Sequence, residues 1–208
     1  MDFLHIVSNH IVTTLSKLGV WYNIIVSIVG VVSIIVLFLT YQMKSRDKIL
    51  FVYIFAALSW MTYFLLQGDL TSAFMNIIGI IRSLIFMQRE KHKWAKSIFW
   101  LFFFISIMLV CTIFTFSTWK DLFPLIGNII GTISFFVLNE KILRVLNVAT
   151  YLFWIGNSIS KLYYLALVSD SLALVSLIIS LIRYRKKKQA QNIEIPEKTK
   201  ENSKSHSN

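Results

Sequence analysis

Charge, cysteine, glycine and proline are all scarce in this sequence. Only 15% of its 208 residues are charged and 56% are hydrophobic, whereas globular domains carry about 25% charged residues. A water-soluble fold cannot cover that much apolar surface, so this class is excluded. One cysteine excludes a disulfide framework and a multi-cysteine metal site. Seven glycines and two prolines exclude collagen-like and loop-rich chains.

Catalytic motifs are missing as well. The sequence contains no H-E-x-x-H zinc motif, no nucleophile elbow, no P-loop, and no pair of carboxylates on one helix face within an apolar run. The four histidines all lie outside the apolar runs: His5, His10, His92 and His206. We therefore expect a protein that is not an enzyme and that holds no cofactor and no metal.

Seven long apolar runs dominate what is present. A hydrocarbon core about 30 Å thick needs about 20 apolar residues, and each crossing must be helical because lipid offers no hydrogen-bond partner for free backbone groups. The runs cover residues 18–43, 49–68, 70–88, 97–119, 122–139, 142–165 and 171–184. They predict an all-α polytopic membrane protein with seven transmembrane helices, in contact with the lipid bilayer.

The excess of basic residues indicates orientation rather than a nucleic-acid partner. A net charge of +11 would suggest nucleic acid in a soluble protein. Here the connections between the apolar runs are alternately rich and poor in lysine and arginine, as in membrane proteins whose cytoplasmic loops are basic. The alternation predicts an N-terminus outside, a cytoplasmic C-terminus and no nucleic-acid partner.

Both ends of the chain differ from the apolar runs. Residues 1–17 have apolar side chains at helical spacing and no secretory signal, which predicts an amphipathic segment on the outer interface. Residues 185–208 are rich in Lys, Glu, Ser and Asn, which predicts a disordered, basic cytoplasmic tail.

A weak internal repeat relates the two halves. Three matches occur in the same order: 48–52 with 141–145, Trp60 and Tyr63 with Trp154 and Asn157, and the pair Asp69 and Arg82 with the pair Asp170 and Arg183. They predict three-helix repeats at 18–88 and 120–184, joined by a linker helix at 94–119, in a 3+1+3 parallel-repeat bundle. Such repeats hold a substrate near the membrane midplane. The alternative, that apolar helices resemble each other by composition, stays open.

The sequence also resembles a known family. Its segments 124–132 and 141–144, Trp154-x-x-Asn157 and a last helix ending at Arg183 resemble the YgjV-type bacterial inner membrane proteins, and the first half has the same pattern. That type is similar in plan to the SWEET and PQ-loop sugar carriers and the PnuC-type carriers. The resemblance implies facilitated movement of a small polar metabolite across a bacterial cytoplasmic membrane. The resemblance does not extend to the Pro-Gln pair of the PQ-loop carriers, because Pro124 is followed by a leucine here.

Six residues are candidates for binding substrate: Trp60, Tyr63, Asn76, Asn128, Trp154 and Asn157. Each tryptophan lies near the middle of its run, with a hydrogen-bonding residue three positions later on the same face. Amides in a span must face protein or a wet cavity. Aromatic walls with a few amides suit a small neutral metabolite such as a sugar, nucleoside or vitamin. Alternatively, the amides join helices, and the chain is a non-transporting scaffold or immunity-type protein. The substrate, a coupling ion and homo-oligomerisation stay open.

The charged residues near the ends of the runs are interpreted as structural. Arg82 and Arg183 are expected to extend their side chains to the cytoplasmic interface. Asp69, Asp121 and Asp170 are each expected to open a helix at the outer face, where a carboxylate accepts hydrogen bonds from free N–H groups.

Overall fold

A computed structural model describes the backbone of residues 2–205 and the side chains of residues 6 and 10–184. Within these residues the regular structure is entirely helical. The helices are α1 (Asp2–Ser16), α2 (Val20–Thr40), α3 (Arg46–Leu66), α4 (Leu70–Met87), α5 (Phe99–Thr115), α6 (Leu122–Phe136), α7 (Glu140–Ser160) and α8 (Tyr164–Ser205), with 3₁₀ turns at Trp94–Lys96 and Trp119–Asp121. The backbone of residues 185–205 continues α8, and the disorder expected of the tail at 185–208 stays a prediction.

Within the part of the chain that the structure describes, five helices are long and apolar enough to cross a membrane. They are α2, α3, α4, α7 and the segment Tyr164–Tyr184 of α8. Helix α5 is also apolar but has 17 residues, and α6 has 15. At a rise of 1.5 Å per residue, α6 extends over about 22 Å, less than a hydrocarbon core of about 30 Å. The chain is therefore a helical multi-pass membrane protein.

Helices α2–α4 form one three-helix group and helices α6–α8 form another. Helix α5 and these two groups pack as one bundle. Helix α3 lies between α2 and α4, and α7 lies between α6 and α8. The two groups meet where α2 contacts α8 and where α4 contacts α6, while α5 contacts α4 and α6. Large apolar side chains on the outside remain exposed, as expected of a surface that contacts lipid, among them Ile28, Phe102, Phe114 and Leu152. The centre of the bundle therefore lies between the two groups.

The turn between α3 and α4 has the same backbone hydrogen bonds as the turn between α7 and α8. The Asp69 N–H donates to the Phe64 carbonyl at 2.9 Å, and 94 residues later the Tyr163 N–H donates to the Ser158 carbonyl at the same distance. Each turn contains one residue with positive φ, at Gly68 and at Leu162. Helices α7 and α8 accordingly begin 94 residues after α3 and α4.

This register corrects the position of Asp170. The sequence predicts that Asp170 opens a helix. In the structure α8 begins at Tyr164, so Asp170 lies more than one turn inside the helix. The left-handed conformation of Leu162 ends the preceding helix early and allows α8 to begin there. With the offset of 94 residues, Asp170 corresponds to Asn76 rather than to Asp69. The expectation that Asp69 opens a helix is confirmed, because its carboxylate accepts the Ser72 N–H at 3.1 Å.

Candidate functional site

Two small cavities lie at the centre of the bundle. The first has a volume of about 30 Å³ and the second about 20 Å³. Tyr53, Tyr151 and Trp154 line both, so we refer to them together as the central cavities. The first is also lined by Leu37, Trp60, Phe64, Asn76, Ala166 and Asp170. The second is also lined by Arg82, Asn128, Gly131, Phe135, Asn147 and Thr150. Each is large enough for about one water molecule.

An aromatic cluster packs beside the first cavity. The Trp154 ring stacks on Phe64 with 5.8 Å between centroids and 22° between planes. Trp60 contacts the same Phe64 ring at 5.6 Å and meets Tyr63 edge-on at 5.1 Å. The Trp60 Nε1–H is buried and has no hydrogen-bond partner among the described residues. Phe64 thus joins the two tryptophans that the sequence predicts as binding residues.

The predicted amides do not hold helices together. Asn76 Nδ2 donates to the Ser72 carbonyl at 2.8 Å, and Asn128 Nδ2 donates to the Pro124 carbonyl at 2.9 Å. Both acceptors lie one turn earlier in the same helix. Asn157 is completely buried, and neither polar atom of its amide has a described partner. These three amides therefore form no described hydrogen bond between helices.

The six predicted residues fall into three groups. Trp60, Asn76 and Trp154 line the first central cavity, and Asn128 lines the second together with Trp154. Tyr63 packs on Trp60 and also borders a separate opening of about 360 Å³ beside Gln67. Asn157 lies apart from the lining of both central cavities. Their role in binding stays a prediction.

Arg82 points into the protein. Its side chain is only 1% exposed. Nη1 donates to the Asn128 carbonyl at 3.1 Å and to the Thr132 hydroxyl at 2.6 Å, and the guanidinium lies 5.0 Å from the centroid of the Phe135 ring. The expectation that Arg82 reaches the interface is therefore wrong. Because α4 packs against α6 at this level, acceptors on α6 replace the headgroups.

Asp170 is the other buried ionisable residue at the centre. It is 6% exposed, and its Oδ2 accepts a hydrogen bond from the Ser158 hydroxyl at 3.0 Å. The described residues provide no ion pair for Asp170 and none for Arg82. A charged residue inside an apolar run is a signal for a functional site. The interpretation of Asp170 as a helix-opening residue hid that signal.

Two arginines close the end of the bundle where α4 and α6 finish. Arg46 is 3% exposed, and its Nη2 donates to the Phe86 carbonyl at 3.0 Å and to the Phe135 carbonyl at 2.8 Å. Arg144 Nη2 donates to the Met43 carbonyl at 3.2 Å. Basic side chains at helix C-termini bind carbonyls that lack an intrahelical partner. We call this the arginine end.

A lysine and two aspartates close the opposite end, which we call the lysine end. Lys161 Nζ donates to Asp69 Oδ2 at 2.9 Å and to Asp121 Oδ1 at 2.8 Å. Asp121 also accepts the backbone N–H groups of Ser117 and Thr118 at 2.8 and 2.9 Å. The cluster thereby joins the α3–α4 turn, the turn before α6 and the α7–α8 turn. A cavity of about 170 Å³ adjoins it.

Two residues of the lysine end, Lys161 and Asp121, stay charged across the neutral range. Burial lowers the pKa of Lys161, but the Asp69 and Asp121 carboxylates outweigh burial and the net pKa is raised. Burial raises the pKa of Asp121, but hydrogen bonds from Lys161 and from the Thr118 and Ser117 backbone outweigh it and the net pKa is lowered. The stability from Asp121 is present above the ordinary carboxyl pKa of about 3.9 and lost as pH falls. That from Lys161 is present below about 10.4 and lost as pH rises.

We expect Lys161→Met to lower the stability of the purified protein by about 3–5 kcal/mol, because it leaves two buried carboxylates side by side. Thermal unfolding in detergent measures the loss. The triple variant Lys161→Met, Asp69→Asn, Asp121→Asn is the control, and it should recover part of the loss because no like charges remain. Between about pH 5 and 9, Lys161 and Asp121 should add no pH dependence to wild-type stability. Equal stability of Lys161→Met and wild type would contradict this account.

A comparison with protein families gives one result over most of the chain. The family model of the YgjV bacterial inner membrane proteins matches residues 24–188. The chain belongs to the YgjV family. The match confirms the resemblance inferred from the sequence, and it makes this an integral inner membrane protein of bacteria. Every residue that lines the central cavities falls within the YgjV match. No curated protein and no solved structure matches the chain.

Proposed function

We propose that this YgjV-family protein is a facilitator that carries a small metabolite of no net charge across the inner membrane. The observation that carries the proposal is the pair of central cavities, whose linings include polar and ionisable side chains at the centre of an apolar bundle. Both three-helix groups line them: Trp60 and Asn76 come from α3 and α4, and Trp154 and Asp170 from α7 and α8. Polar groups in such a place are expensive in lipid and are typical of substrate pathways.

The offset of 94 residues supports two parallel repeats within this proposal. Trp60 and Trp154 are related by it, as are Asn76 and Asp170, and both pairs line the first cavity. Parallel repeats with a site between them are a known transporter plan. In the proposal all seven helices from α2 to α8 cross the membrane. Each repeat has three helices and so crosses the membrane an odd number of times. In the proposal α5 is the linker that gives the two repeats the same orientation.

The two closed ends support movement by alternating access. In the described conformation the lysine end is held by ion pairs and the arginine end by hydrogen bonds to helix C-termini. In the proposal these contacts break alternately, so that the central cavities open to one side of the membrane at a time. The small volume of the cavities then belongs to a closed conformation between the two open ones.

A non-transporting scaffold is the second candidate function. The observation that favours it is the tight aromatic packing around Phe64, which leaves only about 30 Å³ in the first cavity. A scaffold has no need for a buried arginine and aspartate without ion pairs, so transport accounts for more of the centre.

Counterflow into proteoliposomes tests the proposal. Purified protein is first screened by thermal shift against nucleosides, sugars, vitamins and amino acids. Vesicles are then loaded with each stabilising compound, and uptake of the same labelled compound is followed. We expect at least one compound to stabilise the protein and to exchange into vesicles that contain it, but not into empty vesicles. Stabilisation without exchange for any compound would support the scaffold instead.

Orientation can be tested with single cysteines in a Cys111→Ser background. Ser117 lies at the lysine end and His92 follows α4 near the arginine end, and both are exposed. Because basic loops remain in the cytoplasm, we expect Ser117→Cys to react in intact cells with a thiol reagent that does not cross membranes. His92→Cys should react only after lysis. The reverse pattern would invert the proposed topology.

A further inference from the structure

The centre contains two buried ionisable side chains, Arg82 and Asp170, that a purely hydroxylated solute would leave without ion pairs. Arg82 is 1% exposed and Asp170 is 6% exposed. The only three ion pairs among the described residues involve Arg46 and Lys161 as the basic partners. The Arg82 Nε–H also has no described hydrogen-bond partner. A buried charge without a partner costs several kcal/mol, so both groups call for a functional explanation.

The two side chains line different central cavities, and these cavities share aromatic lining residues. Asp170 lines the first central cavity and Arg82 lines the second, while Tyr53, Tyr151 and Trp154 border both. An elongated solute that spans the two cavities would therefore contact an anionic side chain at one end and a cationic side chain at the other. Aromatic rings would flank its middle.

We infer that the solute is a zwitterion, with an anionic group at Arg82 and an ammonium group at Asp170. The inference rests on the proposed function and specifies its substrate class. A guanidinium donates parallel hydrogen bonds to a carboxylate, and its free Nε–H is one of the donors in that geometry. A carboxylate such as Asp170 accepts from an ammonium, and nearby aromatic faces favour a cation further. The bound solute would complete both ion pairs.

The charge balance explains how such a solute crosses without net charge. The site contributes one positive and one negative group, and a zwitterion contributes one of each, so the loaded centre is neutral. A sugar bound between the two repeats would leave both side chains without ion pairs. An amine alone or a carboxylate alone would complete one pair and leave the other.

The two halves of the protein are not equivalent at this site. Asp170 corresponds to Asn76 at the offset of 94 residues, and Arg82 corresponds to Ser176. Each repeat therefore supplies one charged group, the cation from α4 and the anion from α8. This asymmetry fixes the orientation in which a zwitterion binds.

A series of ω-amino acids measures the separation of the two charges. Glycine, β-alanine, γ-aminobutyrate and 5-aminovalerate are compared in thermal shift and in counterflow. Each is paired with the carboxylate and the amine of matching length that lack the second charge. We expect one chain length to be preferred, with both of its singly charged analogues at least about tenfold weaker in half-saturating concentration.

Two variants, each with one ionisable side chain replaced by a neutral amide, identify which end of the solute each side chain binds. In Arg82→Gln the amine analogue should approach the affinity of the zwitterion, because the carboxylate has lost its partner. In Asp170→Asn the carboxylate analogue should do so instead. Thermal unfolding without ligand checks that each variant is folded. If Arg82→Gln does not fold, the wild-type series and Asp170→Asn still decide the inference.

The outcomes separate the inference from the proposed function. Exchange of sugars or nucleosides without exchange of any ω-amino acid would overturn the zwitterion inference and leave the transporter proposal standing. Unchanged preference for the zwitterion in both variants would also overturn it. Exchange of no compound at all would overturn both.

Discussion

The substitution Arg82→Met should abolish counterflow of the compound that the wild-type protein exchanges, without lowering the stability of the bundle. Methionine fills much of the volume of the arginine stem but removes the buried charge. The acceptors on α6 keep a partner, because the Asn128 carbonyl still accepts the Thr132 hydroxyl at 2.6 Å. Replacing a buried charge with an apolar side chain of similar volume is often neutral or stabilising by about 1–4 kcal/mol. Thermal unfolding and counterflow, measured on the same preparation, check both parts.

Arg46→Met is the matched control, because Arg46 is just as deeply buried. Its guanidinium satisfies the Phe86 and Phe135 carbonyls near the ends of α4 and α6. Removing it leaves the Phe135 carbonyl without a described donor, at about 1–3 kcal/mol, while the Phe86 carbonyl still accepts the Arg89 N–H at 3.2 Å. We therefore expect Arg46→Met to lower the unfolding midpoint. Similar destabilisation by Arg82→Met would mean that Arg82 supports the fold rather than the site.

Arg82→Lys distinguishes a specific guanidinium from any buried cation. An ammonium lacks the planar fork that donates to Asn128 and Thr132 while lying over Phe135. We expect counterflow to fall by at least about tenfold, with normal membrane insertion. Full activity of the lysine variant would indicate that charge alone suffices.

Removal of either central tryptophan should weaken solute binding. Trp60→Ala and Trp154→Ala are each expected to cost about 1–3 kcal/mol, by analogy with bases that stack on aromatic side chains. Both rings contact Phe64. When one ring is removed, Phe64 can therefore move into the space that this ring occupied, which changes its contact with the remaining ring. The double variant should therefore deviate from the sum of the single effects. Isothermal titration with the compound selected by thermal shift measures all three.

Folding must be kept separate from binding in this experiment. A buried Trp→Ala change costs about 3–5 kcal/mol of stability. Trp60→Phe is a milder variant, because the Trp60 Nε1–H has no described partner to lose. Trp21→Ala is the control, since Trp21 is 69% exposed at the start of α2. Equal affinity in folded Trp60, Trp154 and wild-type proteins would identify both rings as packing residues.

Composition and hydrophobic periodicity were sufficient for the helical membrane character and for most of the helix positions. The apolar runs beginning at residues 18, 49 and 70 correspond to α2, α3 and α4. The recurrence of Trp60 and Trp154 also predicted two side chains that line one cavity. These features depend on local sequence, because burial in lipid imposes helical backbone and a minimum length on every span.

The α7–α8 turn could not be predicted from composition. Leu162 adopts positive φ, which is rare for a leucine and common only for glycine, as at Gly68. The sequence prediction therefore extended the sixth run to residue 165, beyond Ser160 where α7 ends. The same error displaced Asp170 from the interior of α8 to its beginning.

Packing between helices was needed to locate the charges of the site. From sequence, Arg82 lies near the end of an apolar run, and a long side chain there normally extends to the interface. The contact between α4 and α6 instead offers it a carbonyl, a hydroxyl and an aromatic ring. Tyr53, Asn147 and Tyr151 join the central cavities from helices far apart in the sequence. Periodicity indicates which face of a helix is apolar, whereas only the docking of helices decides which polar groups meet and which charges have no partner.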